Sequence, residues 1–148
     1  MTLMRSDRQV ALRDLHLAMQ ESADLYQCTA EFLQDSAASK ICNTLANERL
    51  RLAEQLEQEI RAEGELPSEP DRDKEAIEEL QQRLETLFTE DQVAGVMGHR
   101  LEAERGMQAF LHNEDLSVLE EESSSLLAEC RGAVDGAINR LVEFLGEP

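Results

Sequence analysis

Apolar residues recur every three or four positions through most of this 148-residue chain, and that period restricts its fold more than any other feature. The stretch from Leu12 to Leu33 shows it well, because Leu15, Met19 and Tyr26 continue the same steps. Residues at this spacing share one face of an α-helix and can pack together on a core. β-Branched and aromatic residues never gather in the alternating runs that are typical of strands. The chain is therefore predicted to be all-α.

The pattern predicts four long helices and one short one. Ser6 and Gln9 stand at the spacing of a capping box before the first helix, and Thr89 and Gln92 do so before the fourth. The one clear break is the proline-containing stretch GELPSEPD at 64–71. The predicted helices span about 6–35, 37–63, 73–88, 90–112 and 116–145. Long helices with short connections favour an antiparallel four-helix bundle, with the extra short helix lying across one end or side.

Length and composition are consistent with one helical-bundle domain over residues 1–148. Hydrophobic residues make up 41% of the chain, which is enough for a core. Aromatic residues make up only 3%, and Trp is absent from the sequence. Leu, Ala, Met, Ile and Val must therefore fill the interior.

The net charge of −18 comes from 32 acidic residues against 14 basic ones. Such a surface repels phosphate backbones and anionic membranes, so neither nucleic acid nor a membrane is expected as a partner. The longest apolar runs fall well short of the ~20 residues that a membrane-spanning helix needs. Three cysteines without a C-x-x-C pair are typical of reduced residues in a cytoplasmic protein. We expect a soluble, cytoplasmic chain.

Two glutamates lie in similar segments, Glu48 in LANERLRLAEQL and Glu104 in LEAERGMQAFL, and an Arg follows each directly. A carboxylate-bridged di-iron or di-manganese site takes one Glu from each of two helices and Glu-x-x-His from each of the other two. Glu21 and Glu129 are the corresponding acids on the first and last predicted helices. These four glutamates are the candidate metal ligands.

The histidines argue against an intact metal site. Three residues after Glu48, Glu104 and Glu129 the chain has Arg51, Met107 and Gly132. None of the three histidines has a Glu three residues before it. At ~100° per residue, Glu21 and Glu48 also lie at the edges of the apolar stripes of their helices. We therefore expect neither a catalytic residue nor a bound cofactor, and the di-metal centre stays as the alternative.

The arginines beside the glutamates indicate an alternative to metal binding at these positions. A buried carboxylate needs a compensating cation or a proton, and Arg49 points closer to the centre of its stripe than Glu48 does. One hypothesis is that Arg49 and Arg105 form a salt-bridge network where a metal would otherwise lie. Their candidate partners are Glu21, Glu48 and Glu104. The alternative is that all of these groups are solvated rim residues that contribute little.

His99, in GHRLEAERG, has a lesser alternative role. The segment faintly resembles the phosphate-accepting helix of histidine phosphotransfer domains, which are four-helix bundles of about this size. That pattern has a Lys and a small residue just after His-x-Leu, whereas Glu102 and Ala103 follow here. A negative charge thus replaces the helpful cation.

Three segments carry a resemblance to a known family. LRDLHLAMQESADLYQCTAE (12–31), LANERLRLAEQLEQEIRAEGELP (45–67) and LEAERGMQAF (101–110) resemble a ferritin-like family of small, uncharacterised bacterial four-helix-bundle proteins. That family is loosely related to rubrerythrins and to stress-associated bundle proteins. The resemblance implies a ferritin-like bundle that often self-associates. It also implies that the four glutamates match the family's acidic positions and that Val134 stands where relatives often have His.

Together these observations lead to one expected function and two alternatives. We expect a ferritin-like bundle with a degenerate metal site that acts as a structural, protein-interaction or stress-associated module. Its expected partner is a second copy, as a homodimer, or another protein, and it is not expected to be an enzyme. The first alternative is a di-iron or di-manganese oxidase or iron-handling protein. The second is phosphorelay through His99.

Overall fold

The computed structural model describes residues 6–34, 36–66 and 71–146, and all regular secondary structure in these ranges is helical. The six α-helices of the described ranges are α1 (Asp7–Phe32), α2 (Ser36–Ala62), α3 (Asp71–Leu87), α4 (Val93–Leu111), α5 (Leu119–Glu122) and α6 (Ser124–Leu145). A single 3₁₀ turn, Glu114–Leu116, precedes α5. The predicted all-α class is confirmed for these residues. The first helix ends at Phe32, three residues before its predicted end, because Leu33 takes an extended backbone conformation. Residue 35 and the prolines at 67 and 70 lie outside the described ranges.

The predicted capping box at the start of α1 is confirmed. The Ser6 hydroxyl accepts a hydrogen bond from the Gln9 N–H at 3.1 Å, and the Gln9 side chain accepts one from the Ser6 N–H at 2.8 Å. Two N–H groups that the first turn of a helix cannot satisfy are therefore paired at this end.

The helix predicted from residue 90 begins three residues later, at Val93. The Gln92 side chain does accept a hydrogen bond from the Thr89 N–H, at 2.9 Å. The Thr89 hydroxyl, however, bonds to the Asp91 carboxylate instead of capping the helix. Half of the predicted capping box is formed, and a turn takes the place of the first helical residues.

The helix predicted over 116–145 is divided in the structure. α5 ends at Glu122, and Ser123, with φ −128° and ψ 36°, leaves the helical region before α6 begins. The three consecutive serines from Ser123 give the helix little intrinsic support, because serine side chains compete for backbone hydrogen bonds. Leu116 and Leu119, before the break, are both fully buried, and α6 begins as a separate helix after it. Arg8 of α1 contacts the residues at this break. Its Nη2 lies 3.0 Å from the Ser123 hydroxyl, and its Nε lies 3.0 Å from the Glu122 carboxylate.

The main helix pairs are antiparallel, α1 with α2 and α4 with α6, which confirms the predicted antiparallel packing. α3 lies against α1 and buries Leu80 and Leu84. None of the described helices is both long enough and apolar enough to cross a bilayer. The three cysteines are free and buried. Burial raises the pKa of the Cys42 thiol to about 11 and that of the Cys130 thiol to about 12, so both stay protonated at neutral pH.

The core consists of two apolar clusters stacked along the helices. The α3-side cluster includes Tyr26, Leu33, Cys42, Leu45, Leu84, Met97, Leu101 and Leu141. The α5-side cluster includes Leu12, Leu15, Met19, Leu52, Leu56, Leu111, Leu116, Leu127 and Val134. Each long helix therefore contributes one half of its length to each cluster. The residues between the two halves on α1, α2 and α4 include the buried polar groups Ser22, Arg49 and Glu104.

Candidate functional site

A buried carboxylate stands at the level where the two apolar clusters meet. Arg49 of α2 donates through Nη2 to Oε1 of Glu104 on α4, in a buried ion pair. The hydroxyl of Tyr26 on α1 donates to the other oxygen, Oε2, at 2.6 Å. Both carboxylate oxygens are thus bonded to side chains of other helices. We call Ser22, Tyr26, Arg49, Arg100 and Glu104 the polar layer.

Arg49 is fully buried and joins three helices. Its Nη1 donates to the hydroxyl of Ser22 on α1 at 2.9 Å, while Nη2 bonds to Glu104. Burial raises the pKa of the Tyr26 hydroxyl, and the nearby Glu104 carboxylate raises it further. Tyr26 therefore remains protonated and acts as a donor in the layer. Each of these residues continues the apolar stripe of its own helix at helical spacing, and therefore its side chain points inward.

Arg100 is the second buried arginine of the layer, with only 5% of its surface exposed. Its guanidinium carbon lies 5.6 Å from the centroid of the Tyr26 ring, and that of Arg49 lies 5.7 Å from it. Arg100 precedes Glu104 by one turn of α4, yet within the described ranges it makes no hydrogen bond or ion pair, and its buried Nε has no acceptor. Burial lowers the pKa of Arg100 from its ordinary value.

The formal charges of the polar layer do not cancel. Arg49 and Arg100 bring two positive charges, and Glu104 brings one negative charge. Tyr26 and Ser22 are neutral. A layer with one excess positive charge thus lies inside a chain whose net charge is −18.

An apolar groove between α1 and α4 leads to this layer. Its volume is about 480 Å³. Its walls include Leu17, Ala18 and Leu25 from α1 and Ala103, Met107 and Phe110 from α4. Its polar lining comes from Asp14, Glu21, Ser22, Arg100 and Glu104. We call this the α1–α4 groove.

Of the four candidate metal ligands, the structure places only Glu104 in the polar layer. Glu21 is half-buried in the wall of the α1–α4 groove, and Glu48 is half-buried on α2. Glu129 is exposed and lines a separate cavity between α2 and α6. Among the described residues, three or more Asp, Glu, His or Cys side chains nowhere come close enough together to hold a metal ion.

The two candidate network arginines have different surroundings. Arg49 lies against Glu104, while the Arg105 side chain is exposed on α4. Val134 is fully buried in the α5-side cluster. Sequence reasoning missed Arg100, although the available signal was its position one turn before Glu104 on the stripe that includes Met97 and Leu101.

His99 lies in the wall of a second cavity, of about 370 Å³, between α1, α3 and α4. It is half-buried, and its Nδ1 has no hydrogen-bond partner in the part of the chain that the structure describes. Burial lowers the pKa of His99, and the positive charges of Arg100 and Arg83 lower it further.

A scan against protein-family models, a search of curated proteins and a search of solved structures each found no match for this chain.

Proposed function

We propose that this chain is a non-catalytic helical binding module, in which the polar layer takes the place that a metal centre has in ferritin-like bundles. The observation that carries the proposal is the state of Glu104. Arg49 binds one of its carboxylate oxygens and Tyr26 binds the other. An acid used in this way acts as a structural anion between helices.

The chemistry of the donor set supports this assignment. A di-metal site in a bundle needs several carboxylates whose oxygens bridge and coordinate the two ions. At the level of Glu104 the chain presents the guanidinium groups of Arg49 and Arg100. An arginine side chain stays charged and has no lone pair to offer a metal. A divalent ion placed here would meet two fixed positive charges.

The wider expectation is a cytoplasmic, ferritin-like, self-associating module with a role in stress. Its support is the antiparallel pairing of α1 with α2 and of α4 with α6, together with the short helix α3 after the second long helix. The free, buried cysteines suit a reducing compartment. The α1–α4 groove offers the apolar surface that a binding module requires.

Metal analysis of protein purified without a histidine tag tests the central claim. We expect far less than one equivalent of iron or manganese after incubation with either ion. The di-metal alternative requires about two equivalents, as in other two-metal sites. Glu104→Gln is the control, because metal bound at the layer would be lost in this variant. About two equivalents in the wild type that Glu104→Gln abolishes would overturn the proposal.

Self-association is tested by sedimentation velocity. A homodimer should give about twice the 16.7 kDa mass of the chain. A monomer at every concentration would contradict the homodimer and leave a different protein as the partner.

The phosphorelay alternative has its own support, since Arg83 and Arg100 place positive charge near His99. Incubation with a phosphorylated response regulator tests it. We expect the same absence of label on the wild type and on His99→Gln. Label on the wild type alone would establish the alternative in place of the binding module.

A further inference from the structure

We propose that the α1–α4 groove binds a small apolar monocarboxylate, such as a medium-chain fatty acid, whose carboxylate is held by Arg100. This inference rests on the proposed binding-module function, and it names the class of ligand and the residue that recognises it.

The first step is the unused bonding capacity of Arg100. An arginine has five N–H donors in a planar fork that matches a carboxylate. Arg100 is 95% buried, and among the described residues its one close partner is the face of the Tyr26 ring. Burying a charge without a partner is costly, so such a group attracts an anion from outside. The hydrogen bonds of Glu104 go to Arg49 and Tyr26, and none of them joins it to Arg100.

The second step is charge. The polar layer has one excess positive charge, and one carboxylate neutralises it. The exposed Asp14 and the half-buried Glu21 line the same groove and repel any anion, a dianion about twice as strongly as a monoanion. A monoanion therefore fits better than a phosphate or a dicarboxylate.

The third step is the shape and polarity of the groove. Its volume of about 480 Å³ lies within the range of about 300–1,000 Å³ that small-molecule sites occupy. Leu17, Leu25, Met107 and Phe110 give it apolar walls. A ligand with an apolar body can bury that body along these side chains while its carboxylate reaches Arg100. An apolar chain with one acidic end satisfies both requirements.

Calorimetric titration with sodium decanoate, kept below its micellar concentration, tests the proposal. We expect saturable binding at one site per chain. Decanamide, which has the same chain and a neutral head, should bind about 10- to 100-fold more weakly, since hydrogen bonds to a charged group contribute that much. Decanedioate should also bind more weakly, because its second carboxylate would enter the apolar part of the groove.

Two arginine variants separate the ligand site from a general charge effect. Arg100→Met should weaken decanoate binding about 10- to 100-fold. Arg105→Met removes the same charge from the exposed side of the same helix, and it should leave the dissociation constant within about twofold of the wild type. Equal loss in both variants, or no loss in Arg100→Met, would overturn the proposal.

Urea unfolding of the same variants distinguishes ligand recognition from a structural role. Arg100→Met replaces a charge without an ion partner by an apolar side chain, so it should unfold at the same urea concentration as the wild type or a higher one. Decanoate should raise the unfolding midpoint of the wild type but not that of Arg100→Met. A lower midpoint for Arg100→Met without ligand, with decanoate binding retained, would show that Arg100 is structural.

Failure of this inference can be told apart from failure of the binding-module proposal. A metal-free protein that does not bind decanoate refutes only the carboxylate site. If in addition its dimer dissociates in Arg100→Met, the groove is occupied by a second copy of the chain. About two equivalents of metal at Glu104 would instead refute the proposed function itself.

Discussion

Arg49 and Arg100 lie in the same layer of the bundle and face the same tyrosine ring, yet their surroundings differ completely. Their guanidinium carbons are 5.7 Å and 5.6 Å from the centroid of the Tyr26 ring. Arg49 bonds to Glu104 and Ser22, and it lies wholly inside the protein. Arg100 has no acceptor among the described side chains and lies in the wall of a groove. The two arginines are therefore similarly buried but have different roles, and their bonding partners show the difference.

The paired arginine also helps to fix how the helices align. Ser22, Arg49 and Glu104 come from α1, α2 and α4, and each lies between the two apolar clusters. If one helix slid by a turn, the charges would face apolar side chains and lose their partners, which is costly. The polar layer therefore favours one alignment of these three helices over its neighbours.

Breaking the paired arginine should give the largest effect on stability. Arg49→Met removes the cation that bonds to Glu104, and loss of one partner of a buried pair costs about 3–5 kcal/mol. We expect the free energy of unfolding in urea to fall by that amount. The double variant Arg49→Met with Glu104→Gln should recover part of the loss, since the residue at position 104 then carries no charge. An unchanged urea midpoint for Arg49→Met would refute the network.

Removing the hydroxyl of the shared ring tests the second bond to Glu104. Tyr26→Phe keeps the ring against both arginines but deletes the donor to Oε2 of Glu104. A hydrogen bond to a charged group contributes about 1.5–3 kcal/mol, and we expect the free energy of unfolding to fall by that amount. Thermal unfolding monitored by circular dichroism measures it. A variant as stable as the wild type would mean that Arg49 alone satisfies the carboxylate.

A third arginine, Arg8, extends the comparison to the surface. It contacts the carboxylates of Glu59, Glu63 and Glu122, of which Glu122 is largely exposed. The Arg8 side chain is 14% exposed and its three partners are 27% to 67% exposed, so Arg8→Ala should lower the free energy of unfolding less than Arg49→Met does, by about 1–2 kcal/mol. The loss should shrink as salt is added. If Arg8→Ala lowered the free energy of unfolding as much as Arg49→Met, the contribution of an arginine would not depend on its burial.

His16 is buried like Arg100, and its Nδ1 lacks a hydrogen-bond partner among the described residues. Unlike arginine it can lose its proton. Burial lowers the pKa of His16 below its ordinary 6.5, which the nearby Glu57 opposes and Arg13 reinforces. The unfolded chain therefore binds a proton at this residue before the folded chain does. Its contribution to stability is present above about pH 6.5 and is lost as the pH falls through the lowered pKa.

His16→Gln should consequently give a flatter dependence of unfolding free energy on pH between 7 and 5, with little change at neutral pH. His112→Gln, at an exposed position just beyond α4, is the control and should keep the wild-type slope. If the wild type and His16→Gln gave parallel curves of unfolding free energy against pH, His16 would not be a source of the pH dependence.

Sequence reasoning went furthest where the interactions are local. The capping box of Ser6 and Gln9 depends on residues three apart and is confirmed. The start of α4 was predicted three residues too early and the break at Ser123 was not predicted, because a bond to Asp91 and contacts from Arg8 compete with the helix there. The spacing of apolar residues along a helix does not predict these contacts between polar side chains.

The candidate site was predicted only in part for a similar reason. The position of Arg49 near the centre of its stripe indicated an inward side chain, and a glutamate partner was expected. Which glutamate it meets depends on the relative heights of α2 and α4, which no pattern within one helix reveals. Arg100 went unnoticed because a charged residue beside an apolar stripe is usually solvated.

The sequence by itself determined that the chain is helical, where most helices lie and which faces are apolar, because these properties follow from the 3.6-residue period and from local capping. Only the tertiary structure decided that Arg49 and Tyr26 share Glu104 while Arg100 stands beside an open groove. The physical reason is that charges pair across helices according to distances set by packing. Arg49 and Arg100 have the same side-chain chemistry, and packing alone gives them different roles.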